Sequence, residues 1–278
     1  FKHTLITAAN LKLVQAHMAA LLTPPSPQTL SPSTTLSLAG ARILITDAQA
    51  AADLVSSSLP PNTNLSAITS LSIGTRTYNE ASSIGLCEAL LKKCTSLEVF
   101  DMADCIASRP EDEALIIMKN FSDAVSTATS QSNSLHSVDV SNNAMGTKGV
   151  SSCAALLSTP NLKSLKMCND GLSQTTMAEV ADTLLSKLNP TTTLALETLH
   201  FYNNMSGDDG CIAWGRIIGR CGALRDIRFS GTRAGKIGST VAAKALNQNN
   251  HLTSVTKLDL ADNTFSGEGG LLLAGAIA

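Results

Sequence analysis

A Leu-x-x-Leu-x-Leu-x-x-Asn/Cys phrase returns about every 30 residues from Ile68 to Asn263, which commits the chain to stacking small units rather than folding around one centre. The copies read Ile68-Leu71-Ile73, Leu97-Phe100-Met102, Leu135-Val138-Val140, Leu162-Leu165-Met167, Leu196-Leu199-Phe201, Leu224-Ile227-Phe229 and Val255-Leu258-Leu260. In each, the last two apolar positions are two apart, the period of a short strand with one face in a core. The phrase ends on Arg76, Cys105, Asn143, Asp170, Asn204, Thr232 and Asn263, and four of these seven are the Asn or Cys the repeat template favours. Leu36-Ser37-Leu38 reads as a weaker copy ahead of them, which makes about eight repeats.

Between copies the period changes to that of a helix. Val150, Cys153, Ala154 and Leu157 fall at i, i+3, i+4 and i+7, and Met177, Val180, Ala181, Leu184, Leu185 and Leu188 repeat the pattern. Phrase ends lie 29, 38, 27, 34, 28 and 31 residues apart, room for a full helix in each unit. The expected fold is therefore an α/β leucine-rich-repeat solenoid, a horseshoe like ribonuclease inhibitor. Its parallel strands lie on the concave face and its wider helices on the convex face.

Composition excludes several functions. Aromatic content of 3% fits a layered Leu, Ile, Val and Ala core, and a net charge of −2 gives no electrostatic reason to bind nucleic acid. The longest apolar run, Leu271 to Ala278, is too short for direct membrane insertion. Seven scattered cysteines without a Cys-x-x-Cys pair predict free thiols in a reduced, cytoplasmic chain, and the sequons at Asn64, Asn120 and Asn204 then carry no glycan. Residues 1–35 predict a helix over Phe1 to Leu22, then a Pro/Ser-rich linker, with the repeat domain over 36–278. With no initiator Met or signal peptide, and an end inside a repeat, the sequence reads as a C-terminally truncated piece of a longer chain.

No set of residues reads as an independent active site. His3, His17, His136, His200 and His251 lack metal-ligand spacing, and His136 and His200 are expected as solvated residues on strands. Gly235-Lys236 lacks the Ser/Thr and the first Gly of a phosphate loop. The outward strand positions Ser72, Asp101, Asp139, Lys166, His200, Arg228 and Asp259 form a polar stripe, which is either ordinary solvation or a partner-binding surface. The loops leaving the strands put Asp104, Arg109 and Asn169 on a rim, where Asn169 precedes the phrase-ending position and should be the more exposed. Asn143, Asn204 and Asn263 are expected to bond their own loops.

These rim segments resemble the Ran GTPase-activating proteins, most closely the plant-type branch. The resemblance lies in LEVFDMADCIASRPEDEALIIM, LHSVDVSNNAMGTKGV, LKMCNDGLS, LETLHFYNNMSGDDG, FSGTRAGKIGS and KLDLADNTFSGEGG, in the family's order over about Leu36 to Ala278. It implies an activator working in trans on Ran-GTP, alone or with a Ran-binding protein, as a monomer that supports nucleocytoplasmic transport. No cofactor of its own is implied, since GTP and Mg belong to the GTPase. Other GTPase systems gain about 10³ to 10⁵ from an arginine finger. This family is understood to use a rim asparagine to position Ran's own glutamine. By motif that asparagine is Asn169, whose amide can donate and accept at once. Arg109 then falls on an interface or supporting position, and Asp104, Asn142, Asn143, Asp170, Asn203 and Arg233 on partner contacts. Ser108 stands where the family has Gly, and the Trp-Pro-Pro domain that would dock such a protein at the nuclear envelope is not visible. The rival reading is a non-catalytic binding scaffold, ribonuclease-inhibitor-like or immune-receptor-like, which favours an aromatic concave face.

Overall fold

In the computed structural model the described residues are 34–277, except 147, 190, 250 and 251. The expected N-terminal helix and nearly all of the Pro/Ser-rich segment lie outside them. The repeat unit begins at Thr34, since Thr34 and Thr35 are already strand.

Each copy of the phrase becomes one short strand. The strands are β1 (Thr34–Ser37), β2 (Leu44–Ile45), β3 (Ile68–Ser72), β4 (Thr77–Tyr78) and β5 (Val99–Asp101). They continue as β6 (Ser137–Asp139), β7 (Ser164–Lys166), β8 (Thr198–His200), β9 (Asp226–Arg228) and β10 (Lys257–Asp259). Eight of them form one parallel sheet in the order β1-β3-β5-β6-β7-β8-β9-β10, while β2 and β4 pair separately. Leu36, Leu71, Phe100, Val138, Leu165, Leu199, Ile227 and Leu258 are register partners in sequence, so the middle apolar residue of each copy forms one continuous column. The weak first copy is thus a true repeat.

The helices are α1 (Ala48–Ser58), α2 (Glu80–Ala89), α3 (Glu111–Thr129), α4 (Gly149–Ser152), α5 (Ala154–Leu157), α6 (Gln174–Leu185), α7 (Gly207–Ile218), α8 (Lys236–Gln248) and α9 (Gly267–Ile277). Repeat interval limits their length. The 38-residue interval holds the 19-residue α3, whereas the 27-residue interval holds only α4 and α5, broken at Cys153 (φ −99, ψ 5). The single helix expected there is corrected to two short turns, although Val150, Cys153 and Leu157 still face the core. Within the stack Trp214 lies stacked on Phe229 at 4.5 Å between ring centroids. Helices are wider than the three-residue strands, which places the sheet on the inner curve and the helices outside.

All seven cysteines are free and buried. Burial pushes the thiols of Cys87, Cys94, Cys211 and Cys221 up to about 12, so they serve as small apolar side chains. No helix among the described residues is long and apolar enough to cross a membrane.

Candidate functional site on the strand-to-helix rim

Past each strand the backbone ladder continues for several residues before the chain turns to its helix. Thr75, Asp104, Asn142, Asn169, Asn203 and Gly231 each donate a backbone N–H to a carbonyl in the next repeat, at 2.8–3.0 Å. All six, with Asp262 in the last copy, sit in the left-handed region at φ between 55° and 64°. Asn, Asp and Gly tolerate that conformation best, which explains why these types recur here, with β-branched Thr75 the exception. The same geometry turns each side chain outward, and Asn142, Asn169 and Asn203 are exposed.

Those three carboxamides are joined. Asn203 Nδ2 donates to Asn169 Oδ1 at 3.0 Å, and Asn169 Nδ2 donates to Asn142 Oδ1 at 3.1 Å. Bonds between neighbouring copies are natural here, because parallel strands bring equivalent residues within about 5 Å. Asn169 retains one N–H and one lone pair directed to solvent. The run is bounded by Gly231, which has no side chain, and by Asp104, which Arg42 holds in an ion pair with Nε at 3.1 Å. Tyr202 and Met205, 39% and 51% exposed, flank it with apolar surface.

One residue further along, the polar side chains turn inward. Asn143 Nδ2 donates to the carbonyls of Met102 and Val140 at 3.0 and 2.8 Å, and its Oδ1 accepts from Cys105 N at 2.9 Å. Asn204 repeats this with Met167, Phe201 and Asp170 N at 2.8, 3.0 and 3.0 Å. Asn263 Nδ2 likewise donates to the Phe229 and Leu260 carbonyls, and its Oδ1 accepts from both the N–H and the hydroxyl of Thr232. Arg76 performs the donor role in its copy through Nε to the Leu38 carbonyl. The expected loop-bonding roles are therefore seen.

Two expected partner contacts need correction. Asn143 is 3% exposed and Asp170 is 0% exposed, so neither side chain reaches another molecule; both support the rim from below. Asp170 Oδ1 accepts from Asn143 N at 2.8 Å, but its buried Oδ2 faces no donor. Desolvation pushes the Asp170 carboxyl well above 3.8, against the opposing pull of that backbone bond, and favours the neutral acid. A neutral acid can offer one O–H where its neighbours offer an amide N–H. Asp170 thereby replaces an asparagine in the inner row.

The other site residues divide as follows. Arg109 is partly buried, with Nη1 3.6 Å from Glu113 and its Nε enclosed without an acceptor. It lines a recess of about 240 Å³ together with Asn142, Asn143 and Ala144. Ser108 before it is left-handed at φ 61, the conformation for which glycine is better suited. Arg233 is exposed on the loop after Gly231.

The outward stripe on the strands is largely self-satisfied. Asp101, Asp139 and Asp259 each accept the backbone N–H two residues ahead at 2.9–3.1 Å, closing the turn onto the rim. The Asx-turn signal, an Asp ending each of these strands, is present in the sequence. Lys166 pairs with Asp139 at 3.4 Å. The expectation of a solvated His200 is corrected: it is 8% exposed, with Nε2 2.9 Å from Asp226 because neighbouring copies crowd it. Burial alone would raise the Asp226 carboxyl, but His200 and Lys257 outweigh it and hold it below 3.8. Phe100, Phe201 and Phe229 are all buried, so the concave face offers few aromatic anchors. Among the described residues no group of three or more His, Cys, Asp or Glu side chains could hold a metal ion.

The Leucine Rich repeat family matches residues 131–152 and 249–274. RAN GTPase-activating protein 2 of Arabidopsis thaliana is 46% identical over 61 residues, which are 22% of this chain and 10% of that protein.

Proposed function

We propose that this chain, a leucine-rich-repeat protein of the Ran GTPase-activating type, accelerates GTP hydrolysis on Ran by docking its rim against the GTPase. Asn169 supplies the chemistry. Its carboxamide contacts the GTPase's own glutamine, accepting from the amide nitrogen and donating to the amide oxygen, so that the glutamine holds the attacking water in line. Such an act is positioning, since the nucleophile, GTP and Mg all belong to Ran.

The observation that carries this reading is the exposure of Asn169 as an oriented amide with one donor and one acceptor unused. A neutral amide suits the task, because a carboxylate could not donate and an aliphatic side chain could do neither. Tyr202 and Met205 beside it provide apolar contact, and Arg233 an exposed cation, for the partner's surface. Arg109 stabilises the loop beneath rather than entering the nucleotide site, because Glu113 and the recess already hold its guanidinium. The place of action is the cytoplasm, where such an activator supports nucleocytoplasmic transport. The self-paired stripe and scarcity of concave aromatics weigh against the scaffold alternative.

Single-turnover hydrolysis of GTP on Ran tests the reading. Stimulation by the wild-type chain is expected, with most of it lost in Asn169→Ala. Absence of any stimulation by the wild type would remove the function, and equal rates for both proteins would remove Asn169 from it.

A further inference from the structure

Asn169 is the middle of a three-residue chain whose two bonds have a direction. It accepts from Asn203 and donates to Asn142, at 3.0 and 3.1 Å. An isolated exposed asparagine turns about its last side-chain bond between two orientations of similar energy, exchanging its oxygen and nitrogen. With Asn142 and Asn203 in the orientations seen, one orientation of Asn169 satisfies both neighbours, while the other sets nitrogen against nitrogen and oxygen against oxygen, so reversal requires all three amides to turn together. We infer that Asn142 and Asn203 are positioning residues that fix which edge of the Asn169 carboxamide presents the oxygen and which the nitrogen to the bound GTPase.

This rests on the proposed role of Asn169 and goes beyond it. A reversed amide on Asn169 would meet the partner's glutamine with donor against donor, so a freely rotating Asn169 would be competent only part of the time. The neighbours remove that loss before the partner arrives, at the cost of one hydrogen-bonding group each, and no chemistry passes through them.

The direction yields a test with a built-in control. Aspartate accepts but does not donate, and the fold accommodates it at this register, since Asp104 and Asp262 occupy the equivalent position at φ 55° and 56°. Asn142→Asp keeps the acceptor that Asn169 needs. Asn203→Asp removes the donor and faces Asn169 Oδ1 with a carboxylate, which favours the reversed amide. Both variants add the same charge to the same rim.

At saturating Ran-GTP, Asn142→Ala and Asn203→Ala should each lower the maximal stimulated rate by no more than about twofold, the loss expected from two orientations of similar energy, with half-saturation unchanged. Asn142→Asp should keep the wild-type rate, whereas Asn203→Asp, which favours the reversed amide by about one hydrogen bond, should lose roughly five- to tenfold. Equal behaviour of the two Asp variants overturns the inference, as does an effect confined to half-saturation, which would mark both residues as simple contacts. A second measurement needs no GTPase: the side-chain NH₂ resonances of Asn169 in the free ¹⁵N-labelled chain. They should stay near their wild-type positions in Asn142→Asp and move in Asn203→Asp, and the same response to both overturns the chain. If wild type fails to stimulate Ran, the function is lost and these resonances alone decide whether the amides are ordered.

Discussion

Two rows of polar side chains run along the rim one residue apart, and different forces select them. The inner row of Asn143, Asp170 and Asn204 is sealed from solvent and must satisfy backbone groups of two repeats. The outer row of Asn142, Asn169 and Asn203 is exposed, and the backbone asks of it only a left-handed conformation. Asp104, Gly231 and Asp262 meet that request without an amide in other copies, and Thr75 does so despite its β-branch. Side-chain chemistry in the inner row therefore reports on the fold, whereas three successive amides in the outer row exceed what the fold requires.

Substituting one residue from each row should separate these roles most sharply. Asn169→Ala in the outer row should reduce stimulated GTP hydrolysis by about 10²-fold, the scale of one transition-state contact, while stability falls by no more than about 1 kcal/mol, the cost of alanine in a left-handed turn. A matched loss of rate and stability would erase the distinction between rows. Asn204→Ala in the inner row should do the reverse. It strands the Met167 and Phe201 carbonyls and the Asp170 N–H, and should cost about 3 kcal/mol in denaturant unfolding. Any loss of stimulation should then follow the fraction of unfolded chain.

The sequence makes the inner row legible because its position follows from the apolar period. The step from Leu196 through Leu199 and Phe201 to Asn204 places the amide under the loop, and the buried column through Leu199 confirms the register. Asn142 and Asn143 are the same residue type, and only motif position tells them apart. Pairings between distant copies are not legible in this way. The Arg42 contact with Asp104 joins residues 62 apart, and the burial of His200 depends on Asp226 in the next repeat. The family resemblance puts Asp170 among the partner contacts, because motif position does not reveal that its side chain is buried. Its environment, rather than its type, makes it a substitute for asparagine.

That substitution gives a pH-dependent test within the inner row. The folded state holds the Asp170 proton more tightly than the unfolded chain does. Its contribution is therefore fully present below the unfolded value of 3.8 and is lost as pH rises through the higher folded value. An asparagine at the same position would keep the donor at every pH. Asp170→Asn should match wild type in acid and exceed it by about 1 kcal/mol as pH rises to neutrality, measured by unfolding across a pH series. A constant difference between the two proteins would mean that Asp170 does not take up a proton on folding.

The smallest expected effect concerns backbone alone. Ala144 follows Asn143 at φ 47°, while the same place in the next copy is Gly171 at φ 67°. A Cβ in the left-handed region costs about 1 kcal/mol, and glycine's greater freedom in the unfolded chain returns roughly half of that. Ala144→Gly should thus stabilise the chain by about 0.5 kcal/mol, and Ser108→Gly, at φ 61°, by a similar amount. Both should leave stimulation of Ran unchanged. Neither Cβ takes part in the amide chain, and the Arg109 guanidinium is held through Glu113 rather than through Ser108. A fall in rate with a gain in stability would show that tension in these two turns, and not amide direction alone, sets the pose of Asn142 and Asn169.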